Sequence, residues 1–492
     1  MTFLGIDIGT SAVKAVLVDE DEQLLAEAEV ALAISRPQPL WSEQAPDDWW
    51  LATRVVLAEL RRTAPAAFAA ARGIGLSGQM HGAVVLDATD RPLRPAILWS
   101  DGRAQAECRA LAERVPEVGW IAGVPPMPGF TAPKLLWLAA HEPDRFARIA
   151  RVVPAKDYVR LKLTDAFATD PVDAAGTLWL DEARRAWSDA IVAATGLALG
   201  QLPRVVEGSE PAGALTREVA GDLGLPAGIP VAAGAGDAAA GAIGIGAVED
   251  GDAFISLGTS AQYFVTTTTY RPAPDRLIHA YCHGVPRRWY QCAALLNGAS
   301  CLGWAARLLG EPDIPDLVAR VEAAWRGPSR VLFLPYLAGE RTPHNDPNAR
   351  GVLFGLDAET GPVDLAQAVL EGVAFSLAES QECLRAAGTD VNALAAIGGG
   401  ARSPFWMRLI ATALDRPVTL YAGAAKGPAF GAARLARLAV TGEAVAEVCR
   451  KPPLAQILEP ERALVAAYQE RGARFRALYR ALRPEFAAAG GS

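Results

Sequence analysis

One short pattern occurs twice in this chain, near its start and again at its middle, and few folds accommodate it twice. Residues 3–18 read Phe-Leu-Gly-Ile-Asp-Ile-Gly-Thr-Ser-Ala-Val-Lys-Ala-Val-Leu-Val, and residues 253–265 read Ala-Phe-Ile-Ser-Leu-Gly-Thr-Ser-Ala-Gln-Tyr-Phe-Val. Each is an apolar strand, a Gly-Thr-Ser turn and an apolar returning strand, a hairpin whose glycine frees the backbone at its tip. Two such hairpins half a chain apart predict two related lobes. Successive N–H groups in a glycine turn form a concave anion site, and the Thr and Ser hydroxyls add neutral donors, so two opposed tips can hold a polyphosphate. The alternative is a pair of ordinary turns in core sheets. Asp7 before the first turn and Lys14 after it favour the phosphate reading, since an acid beside such a cradle can hold Mg²⁺ through its waters.

The 492 residues suit two domains of about 250 residues each. The charged turn Glu249-Asp250-Gly251-Asp252 places their boundary, giving 1–248 and 249–492. A net charge of −8 argues against nucleic acid or an anionic membrane as the main partner. The apolar start is broken by Asp7 and Lys14 and does not read as a signal peptide. Residues 229–248 have the length of a membrane span, but they carry five glycines and Asp237, whose burial at mid-bilayer costs about 2.5–3.5 kcal/mol. Six scattered cysteines, at 108, 282, 292, 301, 383 and 449, suit reduced thiols in a cytoplasmic protein. His279, Cys282 and His283 lie within five residues but lack a fourth ligand at a recognisable spacing, which favours a structural reading.

Several further turns carry polar side chains where a ligand can meet them. Residues 73–86 read as strand, glycine-rich turn and strand, with Gln79, Met80 and His81 in the turn. His81 there is either a satisfied histidine or a group reaching a ligand. A similar turn at 97–103 holds Trp99 and Asp101, a combination that can floor and grip a sugar, although a tryptophan also suits a core. Residues 127–137 read as a proline-rich loop entering a helix at Lys134. Residues 231–241 read as buried strand, glycine turn and closely packed helix, with Asp237 at the helix start as an N-cap or a functional acid. Ala395 to Ser403 is strand, Gly398-Gly399-Gly400 turn and helix start, against which a flat ring or phosphate can lie. Residues 362–386, 405–414 and 427–440 read as helices, and the tail after 460 as a basic amphipathic helix forming a solvated cover.

In combination and order these motifs resemble the FGGY family of carbohydrate kinases. The resemblance runs over almost the whole length, through Gly5-Ile-Asp-Ile-Gly-Thr-Ser11, Gly78-Gln-Met-His-Gly82, Ala96-Ile-Leu-Trp-Ser-Asp-Gly-Arg103, Asp173-Ala-Ala-Gly-Thr177, Gly339-Glu-Arg-Thr-Pro343 and Gly398-Gly-Gly-Ala-Arg-Ser403. The Gln-Met-His-Gly turn is similar to that of members acting on D-xylulose rather than on glycerol, gluconate or ribulose. The resemblance implies an α/β fold of two ribonuclease-H-like lobes, as in actin and Hsp70, around a central cleft. It also implies ATP held mainly by the second lobe, sugar held by the first, and, by analogy, a homodimer. Position by position it implies Asp237 as catalytic base, Met80 and His81 as sugar contacts and Asp7 as the acid near Mg²⁺. Gly258 and Thr259 match the phosphate turn, and Gly399 and Gly400 the adenosine site. The turn readings add Gln79, Trp99 and Asp101 on the sugar side and Thr10, Ser11, Lys14, Ser260 and Ala401 on the nucleotide side.

Three positions depart from the family pattern. Ala238 stands where Asn usually follows the catalytic Asp, Ser100 where Asn usually precedes Asp101, and Ala235 in place of a turn glycine. Losing two amides beside the expected sugar removes hydrogen bonds worth about 1 kcal/mol each, which can shift sugar preference without touching the chemistry. The expected activity is ATP-dependent phosphorylation of D-xylulose. Its rivals are the same chemistry on another ketose or a polyol, a non-catalytic sugar or nucleotide sensor, and a filament-forming or chaperone ATPase of the same superfold.

Overall fold

A computed structural model describes residues 1–423 and 427–489. The first hairpin opens a sheet built from β1 (Thr2–Ile8), β2 (Ala12–Asp19), β3 (Leu24–Ala31), β4 (Ala71–Gly78), β5 (Pro211–Ala214) and β6 (Pro230–Ala232). Its order is β5-β6-β4-β1-β2-β3, and the two-residue strand Ala235–Gly236 also pairs with β4. The second hairpin opens another sheet, from β7 (Asp252–Leu257), β8 (Ala261–Thr267), β9 (His279–Cys282), β10 (Trp289–Leu295), β11 (Ala393–Ile397), β12 (Val418–Tyr421) and β13 (Leu454–Leu458). Its order is β9-β10-β8-β7-β11-β12-β13. In each sheet the first hairpin strand is central, with an antiparallel meander on one side and a parallel strand on the other. The repeat seen in the sequence is thus a repeat of sheet topology, the ribonuclease-H-like arrangement of the actin and Hsp70 fold.

The helices that bear on the site are α1 (Pro46–Thr63), α2 (Thr131–His141), α3 (Ala155–Thr164), α4 (Pro171–Ala175), α5 (Asp237–Gly244), α6 (Pro362–Ala386), α7 (Gly427–Thr441) and α8 (Val465–Ala489). The outer face of the first sheet packs Leu4, Ile6 and Ile8 against Trp49, Val56 and Leu57 of α1. Its inner face is covered by a helix from the far end of the chain: α7 sets Ala429, Phe430 and Ala433 on Phe3, Val16 and Val18. The approach is so close that a Cβ on Gly5 would lie 1.9 Å from the Ala429 carbonyl oxygen, and one on Gly75 1.8 Å from that of Ala432. The converse holds for α5, which belongs to the first half yet shares a core with Phe254 and Phe264 of the second sheet. The two helices pack on each other between the sheets, so the cleft has a floor made from both halves of the chain. Arg434 of α7 locks it, pairing with Glu22 at 2.7 Å and donating to the Ile243 and Gly244 carbonyls at the end of α5.

Two readings from the sequence need correction. The C-terminal helix α8 is an element of the second core, not a solvated cover: Tyr468, Phe475, Tyr479 and Phe486 are buried along one face. Helix α2 begins at Thr131, a turn before Lys134, because Pro133 falls in the first helical turn, where a missing N–H leaves no bond unmade. Five of the six cysteines are buried, Cys383 is half-buried, and none is paired. No described helix is long and apolar enough to cross a membrane.

Candidate active site

At the carboxyl end of the first sheet three strands deliver polar side chains to one point. On β1, Asp7 stands in register with Lys14 of β2 and with Ser77 of β4. Ala235 pairs with the same Ser77, and two residues later Asp237 opens α5. The two carboxylates therefore face the same space. Burial pushes Asp7 up to about 7; the nearby Asp237 adds to the rise, while the Ser77 hydroxyl and the Lys14 charge oppose it. Its Oδ1 is buried with no hydrogen-bond partner among the described residues. Solvent reaches Asp237 from the cleft, but the surrounding protein raises it to about 6, against a hydrogen bond of 2.7 Å from the Ala238 N–H to its Oδ1. Lys14 points away into solvent and pairs with Glu29 at 3.2 Å, so it acts on the site through its charge.

The turn after β4 forms the neighbouring wall. Gln79 N–H caps the Ile8 carbonyl at 2.9 Å. The Gln79 side chain is fully occupied: its oxygen accepts from Thr10 Oγ1 at 3.0 Å and its nitrogen donates to Gln44 at 3.0 Å. Instead of facing the cleft it braces the first hairpin tip, together with Gln44, which donates to the Thr10 carbonyl. Met80 packs against Gly236, where a Cβ would stand 2.7 Å from its sulfur, so it lies directly beside Asp237. His81 adopts a left-handed backbone, φ 68°, and its Nδ1 lies 2.8 Å from the Gly176 carbonyl oxygen. A carbonyl can only accept, so Nδ1 carries the proton and Nε2 is left as an acceptor. Burial drives His81 down to about 3, overriding the Gly176 bond, with Lys134 and Arg341 adding to the fall; it is neutral at any working pH.

Trp99 is exposed and its indole N–H donates to Thr10 Oγ1 at 2.9 Å, roofing the first hairpin. Ser100 is exposed. Asp101, expected against the sugar, is buried with both oxygens taken, by the Ser42 N–H at 2.6 Å and by the Arg103 backbone and guanidinium at 2.7–3.0 Å. It holds the wall rather than facing the cleft. Lys134, legible in the sequence only as a helix start, is fully buried and donates to the carbonyls of His81 at 2.7 Å and Ile97 at 3.1 Å. A lysine at the head of the apolar run Leu135-Leu136-Trp137-Leu138 was the available signal. A buried charge cluster, in which Lys156 Nζ sits 2.5–2.9 Å from Asp157, Asp170 and Asp173, has no such signal in the sequence. Asp170 caps α4, whose next residue, Gly176, holds His81. These three acids are the one group of three potential metal ligands converging among the described residues, and the ammonium already fills their centre. His279, Cys282 and His283 do not converge: strand alternation turns Cys282 away from His279, and four residues of extended chain, about 13 Å, separate the two histidines.

Across the cleft, the second hairpin tip Gly258-Thr259-Ser260 is one residue shorter than the first, with Leu257 paired to Ala261 where Ile8 pairs with Val13. Thr259 and Ser260 are exposed at the tip, and the Thr259 carbonyl is held by Gly298 N–H and by Ser300 Oγ at 2.6 Å. The Gly398-Gly399-Gly400-Ala401 turn lies against the base of this hairpin. Gly398 has φ 93°, and a Cβ there would stand 2.7 Å from the Leu257 carbonyl oxygen. Gly399 faces open space, and Ala401 is half-buried beside it. A cavity of about 210 Å³ links Asp237 and Ala238 to Ser256, Gln262 and Ile397 of this lobe, with Gly427 and Pro428 along its side. The structure thus brings Asp7, Asp237, Met80, His81 and the second hairpin around one cleft, and leaves Gln79, Asp101 and Lys14 in its supporting framework.

A two-lobed fold with acids at the carboxyl end of one sheet and an open glycine turn on the other places the protein in the actin-like class. Residues 2–244 match the N-terminal domain of the FGGY family of carbohydrate kinases, and residues 253–440 match its C-terminal domain. The chain belongs to that family. It is 46% identical to the xylulose kinase of Escherichia coli (strain K12) over 483 residues, covering 98% of this chain and 99% of that protein. A solved structure from Brucella ovis, described as a "xyloylose kinase", superposes with a TM-score of 0.96 at 47% identity, covering 98% of this chain and all of that one. The xylulose kinase structure from Rhodospirillum rubrum superposes at 0.92 with 30% identity, over 99% of this chain and 100% of that chain.

Proposed function

We propose that the protein transfers the γ-phosphoryl group of ATP to the terminal hydroxyl of D-xylulose, giving D-xylulose 5-phosphate and ADP. The observation that carries this reading is Asp237: a carboxylate raised to about 6, opening a helix, at the end of a cavity that runs to the second hairpin. The near full-length likeness to xylulose kinases supports the sugar. Six unpaired thiols suit the reducing cytoplasm.

Phosphoryl transfer demands alignment, charge neutralisation and a base for the attacking hydroxyl more than covalent chemistry. Asp237 accepts the proton of the terminal hydroxyl, and its Ala238 N–H bond fixes the oxygen that does so. Met80 and the Nε2 acceptor of His81 orient the rest of the sugar, while Lys134 and Gly176 hold His81 itself in place. The backbone donors and hydroxyls of Thr259 and Ser260 receive the phosphate oxygens, with Thr10 and Ser11 facing them from the first lobe, and Gly399 to Ala401 form the bed for adenosine. Asp7 fits a divalent cation, because its Oδ1 has no partner and its carboxylate pairs repulsively with Asp237. When bound there, Mg²⁺ supplies neutralisation of the phosphate charge.

ADP release with Mg-ATP tests the reading, measured with and without D-xylulose and against D-ribulose and L-ribulose. Turnover dependent on D-xylulose and abolished in Asp237→Asn supports it. A second reading, another ketose, has one observation in its favour: Ala238 offers the cavity a methyl group where the family pattern has an amide. Turnover with a ribulose but not with D-xylulose would establish it.

A further inference from the structure

The sugar wall described so far comes from the first lobe, but the second lobe presents its own polar group to the same space. The loop Gly339-Glu340-Arg341-Thr342 is clamped along β10 on both sides of the arginine. Thr342 N–H donates to the Ala294 carbonyl at 3.0 Å, and Thr342 Oγ1 accepts from Ala294 N–H at 3.1 Å and donates to the Leu277 carbonyl at 2.9 Å. On the other side, Glu340 accepts from the N–H groups of Leu296 at 2.7 Å and Arg341 at 2.8 Å, and from Asn297 Nδ2 at 3.1 Å. With the carboxylate so committed, the Arg341 guanidinium has neither a hydrogen bond nor an ion pair among the described residues. Burial bears on its charge more than the nearby Tyr281, Glu340 and Cys292 do. Guanidinium groups in folded proteins are ordinarily hydrogen-bonded when enclosed, since each N–H deprived of water costs free energy.

The position of this group relative to Asp237 is readable from the strands. His279 pairs with Cys292 on β10, its Nε2 is buried without a partner, and its ring lies 6.2 Å from Phe130, which in turn lies 4.3 Å from His81. His279 therefore stands across Phe130 from His81, and Arg341, held beside the same strand by the Thr342–Ala294 bonds, lies near enough for its charge to act on both histidines. The 210 Å³ cavity runs from Asp237 to Ser256 and Gln262, on the two strands joined by the second Gly-Thr-Ser turn, and neither histidine lines it. A ketose whose terminal hydroxyl meets Asp237 places its carbonyl three carbons further on, toward the histidines.

We propose that Arg341 is a sugar-binding residue contributed by the second lobe, donating to the keto oxygen of the substrate opposite His81. This rests on the reading of the protein as a ketose kinase. The chemistry matches: a guanidinium only donates and a keto oxygen only accepts, whereas a hydroxyl at the same carbon must also find an acceptor. A site that hydrogen-bonds a substrate group discriminates against the analogue lacking it.

The test compares D-xylulose with its two C2-reduced polyols, xylitol and D-arabinitol, in the wild type, Arg341→Met and Arg341→Lys. Arg341→Met is expected to raise KM for D-xylulose about tenfold or more, the size of a lost charged hydrogen bond, with KM for ATP unchanged. The kcat/KM preference for ketose over polyol should shrink by a similar factor, and Arg341→Lys should recover part of it. An unchanged KM and preference, or a KM that rises equally for ketose and polyols, overturns the assignment. Should Arg341→Met fail to fold by circular dichroism, Arg341→Lys decides alone: a reduced ketose preference supports the proposal and an unaltered one refutes it. Failure of the kinase reading looks different, because the wild type itself would then release no ADP with any ketose.

Discussion

Asp7 and Asp237 face one space, and burial holds each well above its ordinary range, with the nearby Asp237 adding to the rise at Asp7. A base must be deprotonated to act, so kcat/KM with the sugar should climb as pH rises through about 6 and then level off. Asp237→Asn should lower kcat by about 10²–10⁴-fold and flatten that limb, as steady-state rates across pH would show. Asp7 leaves a different signature, in stability. With its folded value near 7 and its unfolded value near 3.8, the native state keeps a proton that the unfolded chain has lost, so stability without metal falls as pH rises from about 4 to about 7. Denaturant midpoints should show that slope in the wild type and a shallower one in Asp7→Asn, since Glu340, Glu371 and Glu379 are raised to about 7 as well. Above pH about 7, added Mg²⁺ should raise the wild-type melting temperature and leave Asp7→Asn unmoved. The acids, His81 and the glycine turns were legible in the sequence because each sits in a short local pattern. The framework duties of Gln79, Asp101, Gln44 and Lys134 were not, because each depends on a partner 34 to 69 residues away in the chain.

At the scale of elements, local pattern predicts what local physics decides. The helix read at 362–386 is Pro362–Ala386, opened by proline in its first turn and buried without a break from Ala366 to Leu377. The tail was misjudged because its basic residues were weighted above its aromatic stripe at 468, 475, 479 and 486, which keeps to one helical face. That stripe also carries a polar lock: Tyr468 Oη donates to buried Glu371 at 2.7 Å and accepts from Trp325 Nε1 at 2.8 Å. Tyr468→Phe leaves both partners short of a bond and should cost about 1–3 kcal/mol in urea unfolding. The contact between α7 and the first sheet is a sharper case. Gly75→Ala drives a methyl group into the Ala432 carbonyl and must push the helix off the sheet, so a loss of about 1–3 kcal/mol or more is expected in the same assay.

The whole molecule is two repeated sheets whose covering helices are exchanged, and this decides what the halves can do alone. The repeat of Gly-Thr-Ser hairpins made two lobes readable from the sequence, but a periodic pattern says which face of a strand is apolar, not which helix covers it. The cover of the first sheet comes from residues 427–441, beyond the division proposed at 248, and α5 returns the exchange by filling the core under Phe254 and Phe264. Such an arrangement couples the lobes through their cores, so the sugar and nucleotide of the proposed reaction would meet over a shared floor. It also means that the segment 1–248 lacks the helix that shields Phe3, Val16 and Val18. Expressed alone, that segment should bind ANS, lose near-UV circular dichroism and unfold without a cooperative transition, whereas the full chain should unfold in one step. Co-expression with 249–492 should restore the sharp transition, because the missing helix is then supplied in trans. A cooperative, dye-silent 1–248 fragment would show instead that the first sheet stands without α7, and that the exchange of helices serves the cleft alone.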